Sequence, residues 1–372
     1  MSLTRRAAVL GAAAAAAGSV TGFTRPGSRS ARPFGRYGSP AGRRDDRTRY
    51  VDPRGRGDHL TVPAAVSATP DNPAEPWTVV LAAAVYRETV TVPAAKTGLT
   101  LIGASGDARD TVIVYDHANG TPKPDGSGTY GTSGSATTTV QADGFTARDL
   151  TFANDWLRAD HPEITGTQAV ALKTTGDRAA FHTCRFLGHQ DTLYADTPAR
   201  TTIARQYFHR CYVEGDVDFV FGRATAVFDT SHFRTLNRTD LASAPYGFVF
   251  APSTAVSTPY GYLVVRSRIS STAPDGFYRL ARPWVPSSDT TAVPMLTVRD
   301  SLLGAGINAP EPYANMSAAY PWQSQRFREY RNCGPGAAIP VPADRPQLTP
   351  GEAAAQTPAD WFGDWAPWEE CR

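Results

Sequence analysis

The sequence predicts an all-β chain wound as a parallel β-helix, a solenoid of short strands. Three observations point there. Short β-rich hexads recur along the chain, long amphipathic helices are absent beyond residue 57, and acidic residues stand at equal offsets from successive hexads. The hexads are Phe145…Leu150, Phe181…Phe186, Phe208…Val213, Phe228…Phe233, Val264…Ile269 and Thr297…Leu302, with starts 36, 27, 20, 36 and 33 residues apart. Each has an apolar or β-branched residue at either end and mostly polar or small residues between. A coil of this kind cannot bury its apolar side alone, and stacking supplies the core. Unequal spacing means loops of different length. A β-sandwich, with strands every 8–12 residues, is the competing architecture.

Taken in order, residues 1–24 read as an export signal. Arg5-Arg6 precede an Ala-rich apolar run, Ala7 to Gly18, and then small residues. The run is too short to span a bilayer, and no later segment is long enough, so no stable membrane insertion is expected. The arginine pair resembles a twin-arginine signal, although Ala8 stands where a large apolar residue is usual; an ordinary secretory signal is the alternative. Either route predicts a secreted protein. Residues 25–56, rich in Pro, Gly and Arg, read as a linker, and 57–372 as one domain. Within that domain Leu60 to Ala68 predicts a short helix with Pro63 in its first turn, and Trp77 to Ala83 a strand.

The net charge of +2 hides an asymmetry. Residues 1–57 hold 12 arginines against 3 aspartates, which leaves 25 basic and 32 acidic residues in the body. An acidic body is a poor partner for nucleic acid. The four cysteines match no zinc spacing. Cys184 and Cys211 hold equivalent places in successive hexads. Stacked coils would bring them about one strand spacing (~4.8 Å) apart, either as a disulfide or as two buried thiols. Cys333 and Cys371 lie in loop-rich sequence near the C-terminus, where a bond would clip the tail to an exported protein.

Three segments set polar residues in rigid apolar surroundings: Gln168 to Leu172, Gly188 to Leu193, and Asp216 to Gly222. Asp191 lies seven residues after Cys184, and Asp218 seven after Cys211, so stacking makes the two aspartates neighbours. A turn aspartate is the ordinary reading of either alone. Asp218, flanked by Val217, Phe219, Val220 and Phe221, fits that reading less well, because a buried carboxylate is costly unless paired.

These stretches, with Tyr86-Arg-Glu88, Gly131 to Thr137, Gly144 to Arg148, Leu280-Ala-Arg-Pro-Trp284 and Gly334-Pro-Gly336, make the sequence resemble the pectinesterases of carbohydrate esterase family 8. The likeness spans about residues 57 to 365. Ala84 and Ala281 depart from the family's usual glycines, outside the reacting groups. The resemblance implies a right-handed parallel β-helix with a loop-built cleft. It implies hydrolysis of the C6 methyl ester of galacturonate units in pectin, without metal or organic cofactor, by a monomer acting on methyl-esterified homogalacturonan.

Carried over by position, the resemblance makes Asp218 the nucleophile and Asp191 the general acid/base. Gln168 and Gln190 become the oxyanion donors, and Arg282 and Trp284 contact the nucleophile and the sugar. Thr132, Arg238 and Phe221 are further substrate-binding candidates. The residue types suit those roles: an arginine can hold a carboxylate ionised, paired carboxyls push their pKa values apart, and amide N–H groups stabilise an oxyanion. His189 is expected to be a wall residue, and Trp361, Trp365 and Trp368 a segment packed on the body. The alternatives are a related ester or thioester hydrolase, or a non-hydrolytic β-helix such as a carbohydrate-binding solenoid or a lyase. A calcium-dependent lyase would need more clustered carboxylates.

Overall fold

The central coils repeat one path: a short strand, a loop, a longer strand, a two-residue corner and a third strand. The computed structural model describes residues 34, 45–287 and 289–368. Stacking the coils generates three parallel sheets of ten, seven and eight strands. One coil runs Leu172–Thr174, Ala179–His182, Arg185–Leu187, and the next runs Leu193–Ala195, Arg205–His209, Tyr212–Gly215. Their strands pair in register, Leu172 with Leu193, Phe181 with Phe208 and Phe186 with Val213. The parallel β-helix is therefore the fold, and the sandwich is not.

The hexads are the corners between the ten- and eight-stranded sheets. Their apolar ends point inward and stack coil on coil. Phe181 and Phe208 lie 4.9 Å apart at 5°, and Phe208 and Phe228 lie 4.8 Å apart at 15°. That spacing matches one strand separation, so sheet hydrogen bonding and ring stacking favour the same geometry. All three rings are fully buried, and each contributes about 1.5–3 kcal/mol by leaving water.

Between the inward ends, one residue per corner turns the chain with left-handed backbone. Asp149, Thr183, Arg210, Thr230, Arg266, Asp300 and Arg331 all have φ between 49° and 57°. A non-glycine residue there costs about 1–2 kcal/mol. Hydrogen bonds at the following position offset that cost. The backbone N–H of Cys211 donates to Ser231 Oγ (3.2 Å), that of Ser231 to Ser267 Oγ (2.9 Å), that of Ser267 to Ser301 Oγ (3.1 Å) and that of Ser301 to Asn332 Oδ1 (3.2 Å). Cys184 and Cys211 head this column. Both are free and buried, and their thiols donate to backbone carbonyls, so of the two expectations for this pair the buried thiols hold and the disulfide does not. Cys333 is exposed, and its expected partner Cys371 lies outside the described residues.

Two expectations need correction. The ten-stranded sheet begins at Thr48–Val51, which pairs with Thr78–Leu81, so the supposed linker of 25–56 contains the first strand of the solenoid. Phe34 is also fully buried, 4.9 Å from the ring of Tyr50. The last hexad is Val298…Leu303 rather than Thr297…Leu302: Val264 pairs with Val298 and Ile269 with Leu303. Thr297 misled because it is buried as well. Its hydroxyl meets Gln356 of the C-terminal segment.

Both ends of the solenoid are covered. Val62–Ser67 is a helix capped by Thr61, with Pro63 in its first turn. It buries Val62, Ala65 and Val66 and packs against the strands at Thr48–Val51 and Val90–Val92. Near the other end, Glu329 accepts from Arg345 at 3.1 and 2.7 Å, from Tyr313 at 3.0 Å and from Asn332 at 3.1 Å. The outer face of the ten-stranded sheet is covered by Trp361 and Phe362, packed on Tyr207, Val227, Leu263 and Val265, with Trp365 and Trp368 beside them. No helix among the described residues is long and apolar enough to cross a membrane.

Candidate active site

The seven-stranded sheet carries the site on its outer side. Residues 191–193 run beside 217–219: the N–H of Asp191 donates to Val217 O (3.0 Å) and that of Leu193 to Phe219 O (2.9 Å). Leu193 and Tyr194 pair with Val220 and Phe221. Asp191 and Asp218 thus occupy the same place in successive coils, as their spacing predicts. Both are left-handed, with φ of 65° and 50°, a conformation that aspartate tolerates better than most residues. Each ends the turn just before its strand.

A cleft of about 350 Å³ opens above them, lined by Thr132, Gln168, Gln190, Asp191, Asp218, Phe221, Arg282 and Trp284 among others. Its apolar wall continues from the sheet. Tyr194 and Phe221 stack at 4.1 Å, and Trp284 meets Phe221 edge-on at 5.4 Å. That wall offers the flat apolar surface suited to the C–H face of a sugar ring. Arg238 lies outside the lining residues. Its guanidinium bonds to Asp240 and to Tyr246 O.

The two carboxyls sit in different electrostatic surroundings. Arg282 grips Asp218 with both arms of its fork, Nε to Oδ1 at 2.8 Å and Nη2 to Oδ2. The guanidinium also lies 4.5 Å above the ring of Phe248. Burial pushes Asp218 above the ordinary carboxylate range, and the Arg282 bonds pull it back. Asp191 has no such cation on it. Burial, then the neighbouring Asp218 charge, push it well above the ordinary range. The pair is thereby biased toward an ionised Asp218 beside a protonated Asp191.

The glutamines are oriented by residues that sequence reasoning missed. Asn119 Nδ2 donates to Gln168 Oε1 at 2.9 Å and to Thr132 Oγ1 at 3.1 Å. Thr167 Oγ donates to Gln190 Oε1 at 2.5 Å. With each carbonyl oxygen occupied, each side-chain NH₂ is the group left for the cleft. Gly120 and Gly166 let the supporting loops touch: a Cβ on Gly120 would lie 2.6 Å from Ile164 and 3.1 Å from Gly166 N. Asn119 lies 49 residues from Gln168, and no local pattern in the sequence links them. Among the described residues no group of three or more His, Cys, Asp or Glu side chains is arranged to hold a metal ion.

His189 does not face the reaction. Its Nδ1 lies 3.1 Å from Asp216 Oδ2, and it is not among the residues that line the cleft. Arg158 closes on the same carboxylate from the other side, at 2.6 and 2.9 Å.

A β-helix whose cleft holds an aspartate pair, one member clamped by arginine, with two glutamines lining the same cleft, suits a carboxylic ester hydrolase. The comparisons carry the assignment further. The Pectinesterase family model matches residues 49–346, and the chain belongs to that family. A pectinesterase from Ralstonia solanacearum is 33% identical over 336 residues, covering 82% of this chain and 83% of its own. Pectin methylesterase PemA from Erwinia chrysanthemi superposes with a TM-score of 0.75 at 30% identity, over 87% of this chain and 98% of its own. A mutant pectin methylesterase solved with a bound hexasaccharide gives a TM-score of 0.76 at 30% identity, over 86% and 98%.

Proposed function

We propose that the chain is an exported pectin methylesterase that hydrolyses the C6 methyl ester of galacturonate units in pectin by covalent catalysis with two aspartates. The observation that carries this reading is the asymmetry of the pair: Asp218 is bonded by Arg282 while Asp191 is buried without a cation on it. The hexasaccharide complex of a close structural relative supports a polysaccharide substrate lying along the cleft. The Arg5-Arg6 and apolar run at the N-terminus support export.

In the first half-reaction an Asp218 oxygen attacks the ester carbonyl carbon. The side-chain NH₂ groups of Gln168 and Gln190 stabilise the charge that develops on the carbonyl oxygen. The tetrahedral intermediate collapses as Asp191 gives its proton to the departing methoxide, and methanol leaves. In the second half-reaction Asp191, now ionised, takes a proton from water, which attacks the acyl carbon and frees Asp218. The net change is one ester bond hydrolysed, with Asp191 protonated again.

Methanol release from highly methylated pectin tests the reading. Release that is unchanged by EDTA and absent in Asp218→Asn is expected. Chain cleavage to unsaturated fragments, or release lost with EDTA, would overturn it.

A further inference from the structure

Asp216 is a third carboxylate near the pair, and it is 1% exposed. It does not line the cleft. Arg158 meets it with both arms, at 2.6 and 2.9 Å, and His189 Nδ1 lies 3.1 Å from it. Arg158 Nη2 also reaches Gln190 Oε1 at 3.4 Å. Asp216 N–H donates to His189 O at 3.1 Å. Three residues from three loops thus join at one buried point. One of them directly precedes Gln190 and Asp191 in the chain, and another stands two residues before Asp218.

We propose that Arg158, Asp216 and His189 form a positioning clamp for this reaction, tying the Asp191 loop to the Asp218 loop and holding the Gln190 amide in its donating orientation. The inference rests on the two-aspartate reading. An ionised carboxylate buried behind a site is costly unless it is paired, and here one pairing partner, Arg158, also bonds Gln190 of the cleft.

The clamp also acts on the pair through charge. Although burial favours the neutral form of Asp216, His189 and Arg158 hold it well below the ordinary carboxylate range, so it carries a full negative charge. Other groups facing it are Arg238, which is itself paired with Asp240, and the Tyr278 phenol. The Asp216 charge raises both Asp191 and Asp218, while Arg158 lowers Asp191.

The test is the pH profile of kcat/KM for methanol release, with kcat and KM separated. In Asp216→Asn a negative charge is lost, so both limbs should move to lower pH, by about half a unit or more. In Arg158→Gln a positive charge is lost, and the limbs should move to higher pH. Both variants should lose about 10-fold in kcat, a fraction of one oxyanion donor, with KM held within about 2-fold. Arg158→Lys keeps the charge without the fork, so its profile should return toward that of the parent while kcat stays low.

Displacement of both profiles in one direction, or profiles and kcat unchanged per folded molecule, overturns the clamp. Asp218→Asn is assayed alongside. If it is inactive while Asp216→Asn behaves as the parent, the clamp alone fails; if it is active, the two-aspartate reading fails and the clamp with it.

Discussion

Two arginine–carboxylate pairs in this molecule look alike and differ in how fully the carboxylate is engaged. At the C-terminal end, Glu329 and Arg345 are 2% and 0% exposed. Every lone-pair direction of that carboxylate is engaged, by Arg345, Tyr313 and Asn332, and the Arg345 fork also donates to Gly336 O at 2.6 Å. In the cleft, Arg282 and Asp218 remain 31% and 14% exposed, and among the described residues Arg282 is the only side chain bonded to Asp218. The saturated pair can only hold structure. The unsaturated one keeps lone pairs on an oriented, charge-stabilised oxygen, which is what a nucleophile requires. The difference lies in the number of donors supplied.

The largest effects should come from the open pair. Asp218→Asn is expected to lose about 10⁴-fold or more in kcat with its melting temperature little changed. Asp191→Asn should be similarly inactive on the methyl ester, yet should still give a burst of phenol from an activated aryl ester, which needs no protonated leaving group. Equal bursts from the two variants would mean that the roles are wrongly divided.

The closed pair should respond the other way. Arg345→Met leaves Glu329 buried without its cation and should cost about 3–5 kcal/mol of stability, measured by denaturant unfolding, while kcat per folded molecule stays at the parent value. Pairing it with Glu329→Leu should recover much of the loss. A drop in kcat would show that this end of the solenoid communicates with the cleft. Removing a single amide donor is smaller still: Gln168→Ala should lower kcat about 10²-fold with little change in KM.

The smallest expected effect concerns Asp191 and stability. Its carboxyl is raised in the folded protein by burial and by the Asp218 charge. Such a group favours folding while protonated, below the ordinary carboxylate range, and that contribution fades as pH rises through its folded value. Asp191→Asn should therefore melt higher than the parent at neutral pH, and the gain should vanish in acid. Thermal melts at the two pH values check the sign.

The sequence disclosed the solenoid and the aspartate pair because both repeat at coil spacing. Phe181, Phe208 and Phe228 mark successive corners, and Asp191 and Asp218 follow theirs at one offset. Where one face alone is apolar, the pattern fixes register; at Thr297 and Val298 both faces are buried, and the reading slipped by one residue. The first strand, Thr48–Val51, lay hidden because four residues in arginine-rich surroundings are too few to reveal a period. Asn119, Thr167 and Arg158 escaped for a different reason. They act on residues 49, 23 and 32 positions away, through loops whose lengths do not repeat. The cysteine column carried a usable signal, since Ser231, Ser267 and Ser301 hold the same hexad place as Cys184 and Cys211.

Because Asp191 and Asp218 stand just ahead of adjacent strands, in turns already joined by backbone hydrogen bonds, their separation is fixed by that bonding, about 4.8 Å per step, and not by the lengths of the loops around them. The solenoid behaves as a ruler with fixed graduations. Insertions between Tyr115 and Thr138, or between Ala281 and Met295, in the loops that carry Thr132 and Trp284, would reshape the walls of the cleft without moving the graduations. An extra coil placed between the two strands would double the gap and silence the pair while every other contact of the fold was kept. Chimeras of this scaffold should therefore exchange loops freely, provided that the coil holding Asp191 remains next to the coil holding Asp218.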